Sequence, residues 1–175
     1  MATVSATKAE VVKTTAEGVI RLVAIVKELK RELELQLQRH PFGVWLLAQE
    51  GIGSRTAASF LGEAGDLGRF TTEAKLARYA GVGAIKQQSG QSKERHWDGH
   101  RYNHRLKRAL LLMAHCRAQY HQASSEFVRA HKLADGDYWK TIKKLARHLV
   151  RFLWRNWEKV VNGDRKLADE IPQET

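Results

Sequence analysis

A glycine hairpin, Gly51-Ile52-Gly53-Ser54-Arg55, sits between two apolar stretches and has the layout of a helix-hairpin-helix. Two glycines let backbone amides point outward beside a helix N-terminus, where an anion can be held without reading base sequence. Arg55 would add a charge-assisted contact. The same residues also suit a tight turn between packed helices, with Gly needed only for positive φ. A second grouping is basic. Lys86, Lys93, Arg95, Arg101, Arg105, Lys107 and Arg108 are opposed only by Glu94 and Asp98, with Trp97 and Tyr102 interleaved. Aromatic planes beside guanidinium groups suit stacking on unpaired bases. Arg101, Arg105 and Arg108 recur at steps of four and three, which is one face of a helix. A solvated helix face is the plain alternative, and the lopsided charge argues against it.

His96, His100 and His104 are spaced four apart, as metal-binding pairs on a helix can be. No cysteine or carboxylate completes the set, so no metal site is assigned, and phosphate contact or surface solvation fits better. Ser89 lies between Gln88 and Gly90 amid positive charge. A serine attacking a phosphodiester needs its phosphoryl oxygens stabilised, which nearby Arg and Lys can do. On chemistry alone Ser89-Gly90 reads as an ordinary turn dipeptide, because no general base is identifiable. A further ridge, Lys140, Lys143, Lys144, Arg147, Arg151 and Arg155, has no acidic neighbour before Glu158 and extends the electropositive surface.

These groups must be positioned by helices. Only two prolines occur, Pro41 and Pro172, and almost nothing alternates with period two, so the expected class is all-α. Residues 1–40 read as a coiled-coil-like helical stalk with apolar residues at Val12, Ala16, Val19, Val23, Val26, Leu33 and Leu37, interrupted by Lys30. Leu22, Ile25 and Leu29 widen the stripe and favour a bundle over a strict two-stranded coil. At 1.5 Å per residue this helix would be roughly 50 Å long, too long to bury in a small domain, so it pairs with another chain or folds back. Residues 41–161 read as a compact helical domain and 162–175 as a polar tail. Within the domain, Ser54 should cap one helix, Thr71 or Thr72 a second, and Ser124-Ser125 another. A long helix should begin near Gly99 and run to Tyr120, and a last one should bury Ile142, Leu145, Ala146, Leu149, Leu153 and Trp157.

With 30 Lys and Arg against 19 Asp and Glu, the net charge is +11, which opposes compactness unless a polyanion is the partner. Nucleic acid leads, since phosphate neutralisation with counterion release supplies most non-specific affinity. An anionic membrane surface is disfavoured, because no segment approaches the ~20 apolar residues a span needs. The first 15 residues lack an apolar signal core, and Cys116 alone allows no intramolecular disulfide. Both fit a soluble, cytoplasmic protein.

Four ordered motifs between about His40 and Lys159 resemble the C-terminal domain of the RNA-guided insertion-sequence transposases and Piv-like DNA invertases. They are Gly51-Ile52-Gly53 with Thr56-Ala57-Ala58; Phe70 with Leu76-Ala77-Arg78-Tyr79-Ala80-Gly81; Gln88-Ser89-Gly90; and the run from Asn103 to Leu110. The closing Leu145-Ala146-Arg147 and Leu149-Val150-Arg151 are similar to the family's last helix. The resemblance implies that Ser89 is the nucleophile that becomes linked to DNA during strand exchange. It implies DNA as partner, a guide (bridge) RNA, and a bacterial nucleoid-associated location. It also implies a RuvC-like domain whose acidic residues bind a divalent metal, Mg. This chain has no room for that domain, so the metal is expected only in a RuvC-like partner, met, like a second copy in a homo-oligomer, through the N-terminal helix. Glu50 and Ala84 stand where the family usually has prolines, leaving the loop less constrained. A truncated relative that binds nucleic acid without catalysis is the alternative.

Overall fold

A computed structural model describes residues 2–83, 85–87, 95–97, 101–161 and 163. The chain divides into two compact units, Met1–Gln36 and Leu37–Thr175. The first unit is occupied by helix α1, Ala2–Gln38, which fills nearly all of the expected 1–40 stalk and ends two residues past the unit boundary. Its apolar stripe is uncovered: Val12, Val23 and Val26 are 67%, 62% and 64% exposed. Lys30, which breaks the stripe, pairs with Glu34 one turn on.

Among the described residues the second unit contains six further helices: α2 (Pro41–Leu47), α3 (Ser54–Ala64), α4 (Glu73–Tyr79), α5 (His104–Tyr120), α6 (Gln122–Asp135) and α7 (Tyr138–Val161). A 3-10 turn, Leu67–Arg69, joins α3 to α4. The all-α class holds. One addition to it was not expected, a small antiparallel hairpin of β1 (Ile85–Gln87) and β2 (Arg95–Trp97), with Ile85 opposite Trp97 and Gln87 opposite Arg95. Three-residue strands are too short to show alternation, so periodicity is blind to them.

α7 closes the core. Its stripe of Ile142, Leu145, Ala146, Leu149, Val150 and Leu153 is buried against Phe60, Leu76, Leu106, Leu110 and Met113 in one cluster. Trp157, expected in that stripe, is only half-buried and lies edge-on to Phe42. Phe42 in turn stacks on Trp45 at 5.0 Å between centroids, fixing the short α2. Helix α2 begins at Pro41, whose lack of an N–H costs nothing at a first helical position, and His40 Nδ1 accepts from the Gly43 N–H.

Three boundaries differ from the expected ones. Ser54 is not a cap: Gly53 occupies that position in extended conformation, and Ser54 is buried inside the first turn. Helix α5 starts at His104, not near Gly99, because Asn103 is its cap and accepts from the Leu106 N–H at 2.9 Å. The cap of α6 is His121, whose Nδ1 accepts from the Ser124 N–H, so Ser124 and Ser125 are helical. In the first and third cases the serine is drawn into the helix by packing, and the residue before the turn takes the extended geometry.

Candidate nucleic-acid interface

The glycine hairpin has one inward and one outward glycine. Gly51 adopts φ +76°, and a Cβ there would lie 2.6 Å from Arg117 Cα, so only glycine lets the turn lie against α5. The Glu50 carbonyl accepts from the Arg117 guanidinium at 3.1 Å, closing the same contact. The turn reading therefore accounts for Gly51. Gly53 faces open space, and Arg55 is exposed beside it. The first amides of α3 have no acceptor within the helix and Gly53 supplies no side-chain cap, leaving a positive helix end at the surface.

The far end of α3 meets the start of α5. Asn103 Nδ2 donates to Glu63 Oε2 at 2.9 Å and to the Tyr79 hydroxyl at 3.3 Å. Its backbone N–H donates to the Tyr79 carbonyl at 2.8 Å. Thus α3 and α5 run antiparallel, with Glu50 and Gly51 by Arg117 at one end and Glu63 by Asn103 at the other. The ten residues from Gly53 to Glu63 span about 15 Å. The hairpin amides and the basic start of α5 are consequently separate contact points, one at each end of a helix pair.

The basic segment is not one helix face. Arg101 precedes α5 and is exposed, while Arg105 and Arg108 lie on it and are also exposed. Arg105 reaches Glu63 at 3.7 Å. A pair this exposed is worth well under ~1 kcal/mol, so a phosphate can displace Glu63 from it. Lys107 is occupied differently, with its ammonium 4.5 Å over the Tyr102 ring and 3.4 Å from the Tyr102 hydroxyl. Lys86 and Arg95 fall in the two strands. Ser89, Gln88, Gly90, Lys93, Glu94, Asp98 and His100 lie outside the described residues. His96 is in β2 and His104 opens α5, so the spacing of four is not a helical ladder. Among the described residues no three His, Cys, Asp or Glu side chains converge into a metal-binding group.

Both ends of the segment that contains Ser89 in sequence are rooted in the core. On entry, Val82 is fully buried and its carbonyl accepts from Arg147 Nε of α7. On exit, the Tyr102 ring lies over Gly81, where a Cβ would come within 2.5 Å of it at φ +65°. Asn103, Tyr79 and Glu63 make this root; the first two figured in the sequence only within the family motifs, and Glu63 was not singled out. The cap rule could have found Asn103, since Asn precedes an apolar-periodic run there. The Tyr79 phenol is held below its ordinary pKa, first by the hydrogen bond from Asn103 and then by Arg69. The Arg69 guanidinium also sits 4.7 Å from the centroid of the same ring.

A groove of about 430 Å3 runs between α4 and α7, lined by Glu73, Lys75, Arg78, Gly83, Arg147 and Arg151 among others. Arg151 Nε donates to Glu73 Oε1 at 2.7 Å, and Arg155 Nε is 3.4 Å from Oε2 of the same carboxylate. From the α7 ridge, Arg147, Arg151 and Arg155 make these contacts to α4 and the chain just after it.

Comparison with known proteins bears on the family. Residues 45–129 match the Transposase IS116/IS110/IS902 family. The chain is also 32% identical over 133 residues to the insertion element IS110 uncharacterized 43.6 kDa protein of Streptomyces coelicolor, covering 74% of this chain and 33% of that relative. The chain therefore spans about a third of the length of the curated relative it matches. No helix among the described residues is long and apolar enough to cross a membrane. The match begins in α2 and ends in α6, so residues 45–129 of the helical unit belong to the transposase IS116/IS110/IS902 family.

Proposed function

We propose that this domain is the DNA-handling half of a transposase active in DNA transposition. In this reading the N-terminus of α3, with Gly53, Ser54 and Arg55, holds one backbone phosphate. Arg101, Arg105 and Arg108 hold the strand again about 15 Å away, roughly two phosphate steps along one strand of a duplex. Lys86, Lys93, Arg95 and Lys107 add charge from the hairpin and its exit, and Gly51 contributes by setting the turn. The observation that carries this reading is the pair of exposed cationic ends on one rigid antiparallel helix pair in a transposase-family domain.

Ser89 is the proposed nucleophile. Its hydroxyl oxygen would bond to a backbone phosphorus as one sugar oxygen leaves, with the serine proton relayed through a base to that leaving oxygen, which departs as a hydroxyl. The resemblance to a family that couples this domain to a RuvC-like one supports such a partner for completion. A divalent metal bound by that partner would polarise the phosphoryl oxygen; no cluster among this chain's described residues fits one. Helix α1, with its uncovered stripe, is the surface offered to that partner or to a second copy. A guide RNA would find the same cationic surface.

The decisive experiment incubates the chain with nicked or junction DNA, with and without a RuvC-like partner, and looks for a covalent adduct. The expected adduct needs the partner and is lost in Ser89→Ala. If none forms even with the partner, the serine role is wrong and the domain is a non-catalytic binding module.

A further inference from the structure

We infer that the groove between α4 and α7 is a further phosphodiester-binding subsite, which grips a nucleic-acid backbone with residues other than those at the α3–α5 ends. The inference rests on the nucleic-acid reading above and adds a site to it. The groove presents Lys75 and Arg78 from α4 and Arg147 and Arg151 from α7 against one carboxylate, Glu73. Steps of three and four put each pair on one face of its helix, so two cationic rows confront each other across the groove. Glu73 is already matched by Arg151 and Arg155, which leaves the charge of Lys75 and Arg78 uncompensated. Both are exposed and form no ion pair among the described residues.

Ala74, Ala77 and Val150 also line it, and Glu73 is the one acidic residue in the lining. At about 30 Å3 per water, the groove has room for on the order of ten waters, enough for a hydrated phosphodiester. Arg147 gives the site a particular consequence. Its Nε is committed to the Val82 carbonyl, and the rest of its five-donor fork remains for the groove. A phosphate bound there would brace Arg147, and through it the point where the chain passes from α4 towards β1.

An acidic peptide could also use such charge. The net charge of +11 and the transposase family favour nucleic acid. The groove is tested with the full chain and two probes, a short labelled DNA duplex and a single-stranded RNA, titrated between 50 and 200 mM salt. Lys75→Ala/Arg78→Ala should weaken binding about tenfold and flatten the salt slope by up to about two on duplex DNA. The loss should add to that of Arg101→Ala/Arg108→Ala, because the two sites share no residue. The probe that loses more slope identifies whether DNA or RNA occupies the groove. Unchanged affinity and slope in the Lys75/Arg78 variant, with the Arg101/Arg108 variant impaired, would overturn the subsite and leave the binding reading intact. An unsubstituted chain that binds neither probe salt-dependently would remove both. Tighter binding of poly-glutamate, lost in the Lys75/Arg78 variant, would hand the groove to a protein instead.

Discussion

Helices α1 and α7 are both long and amphipathic, and they meet opposite fates. The stripe of α7 is covered by α2, α3, α4, α5 and α6 side chains, with Leu153 fully buried. The stripe of α1 is not covered, and Leu22, Val26 and Leu29 remain 62%, 64% and 59% exposed. Periodicity in a sequence thus declares that a face is built for burial and leaves open what covers it. In α7 the answer is the same chain; for α1 the partner proposed above is one answer, since exposed apolar rows of that length mark interaction surfaces.

Truncation in the two stripes sharpens this contrast most. Leu153→Ala should cost about 2–5 kcal/mol in urea or thermal unfolding, since a fully buried leucine loses both transfer energy and packing. Val26→Ala, by contrast, should stay within about 0.5 kcal/mol for the chain at high dilution. Equal losses at the two positions would mean that α1 is already covered in the isolated chain. Next in size is association. Leu22→Glu/Val26→Glu should raise the dissociation constant of any α1-mediated complex at least tenfold, about 1.4 kcal/mol, in sedimentation equilibrium with the helical domain's unfolding unchanged.

Smaller effects probe the helix ends that hold the domain's geometry. Asn103→Ala removes the α5 cap and two side-chain bonds and should cost about 1–2 kcal/mol; Asn103→Asp, which keeps the cap acceptor, should recover part of it. The smallest effect is a pH dependence. Burial first, and then Arg117, hold the His121 imidazole below its ordinary pKa, consistent with its role as an acceptor for Ser124. Its folded pKa is depressed, so its contribution is present above about 6.5, the unfolded value, and is lost as pH falls towards the folded one. Thermal midpoints measured from pH 7.5 to 5 should therefore fall less in His121→Asn, a cap that does not titrate. Parallel pH curves for the two proteins would contradict this.

Much of the helical layout was legible beforehand, for identifiable reasons. Pro41, Gly65 and Gly136 mark helix edges through backbone constraints that no tertiary contact overrides. Serine caps were not legible. Ser54 and Ser124 have the right chemistry, and burial of each inside a first turn passed the cap to Gly53 and His121. The same limit applied to the candidate site. A run of arginines at steps of four and three suggested one helix face, yet the Asn103 cap stops α5 short of Arg101. The α4–α7 groove was invisible because Lys75 and Arg147 are far apart in sequence and each looks like an ordinary surface charge.

The contacts that α7 makes have a consequence for how the domain is synthesised. Trp154 bonds to the Phe70 carbonyl, Arg151 to Glu73 and Arg147 to Val82, across sequence separations of 84, 78 and 65 residues. Such distant pairings form late, because the intervening chain must first be brought together. During translation, Phe60, Leu76, Leu106 and Leu110 therefore wait on the nascent chain without their principal cover until α7 leaves the ribosome. Over that interval the emerging polypeptide carries two sticky regions, and protection by chaperones matters more for it than for a bundle closed by neighbouring helices.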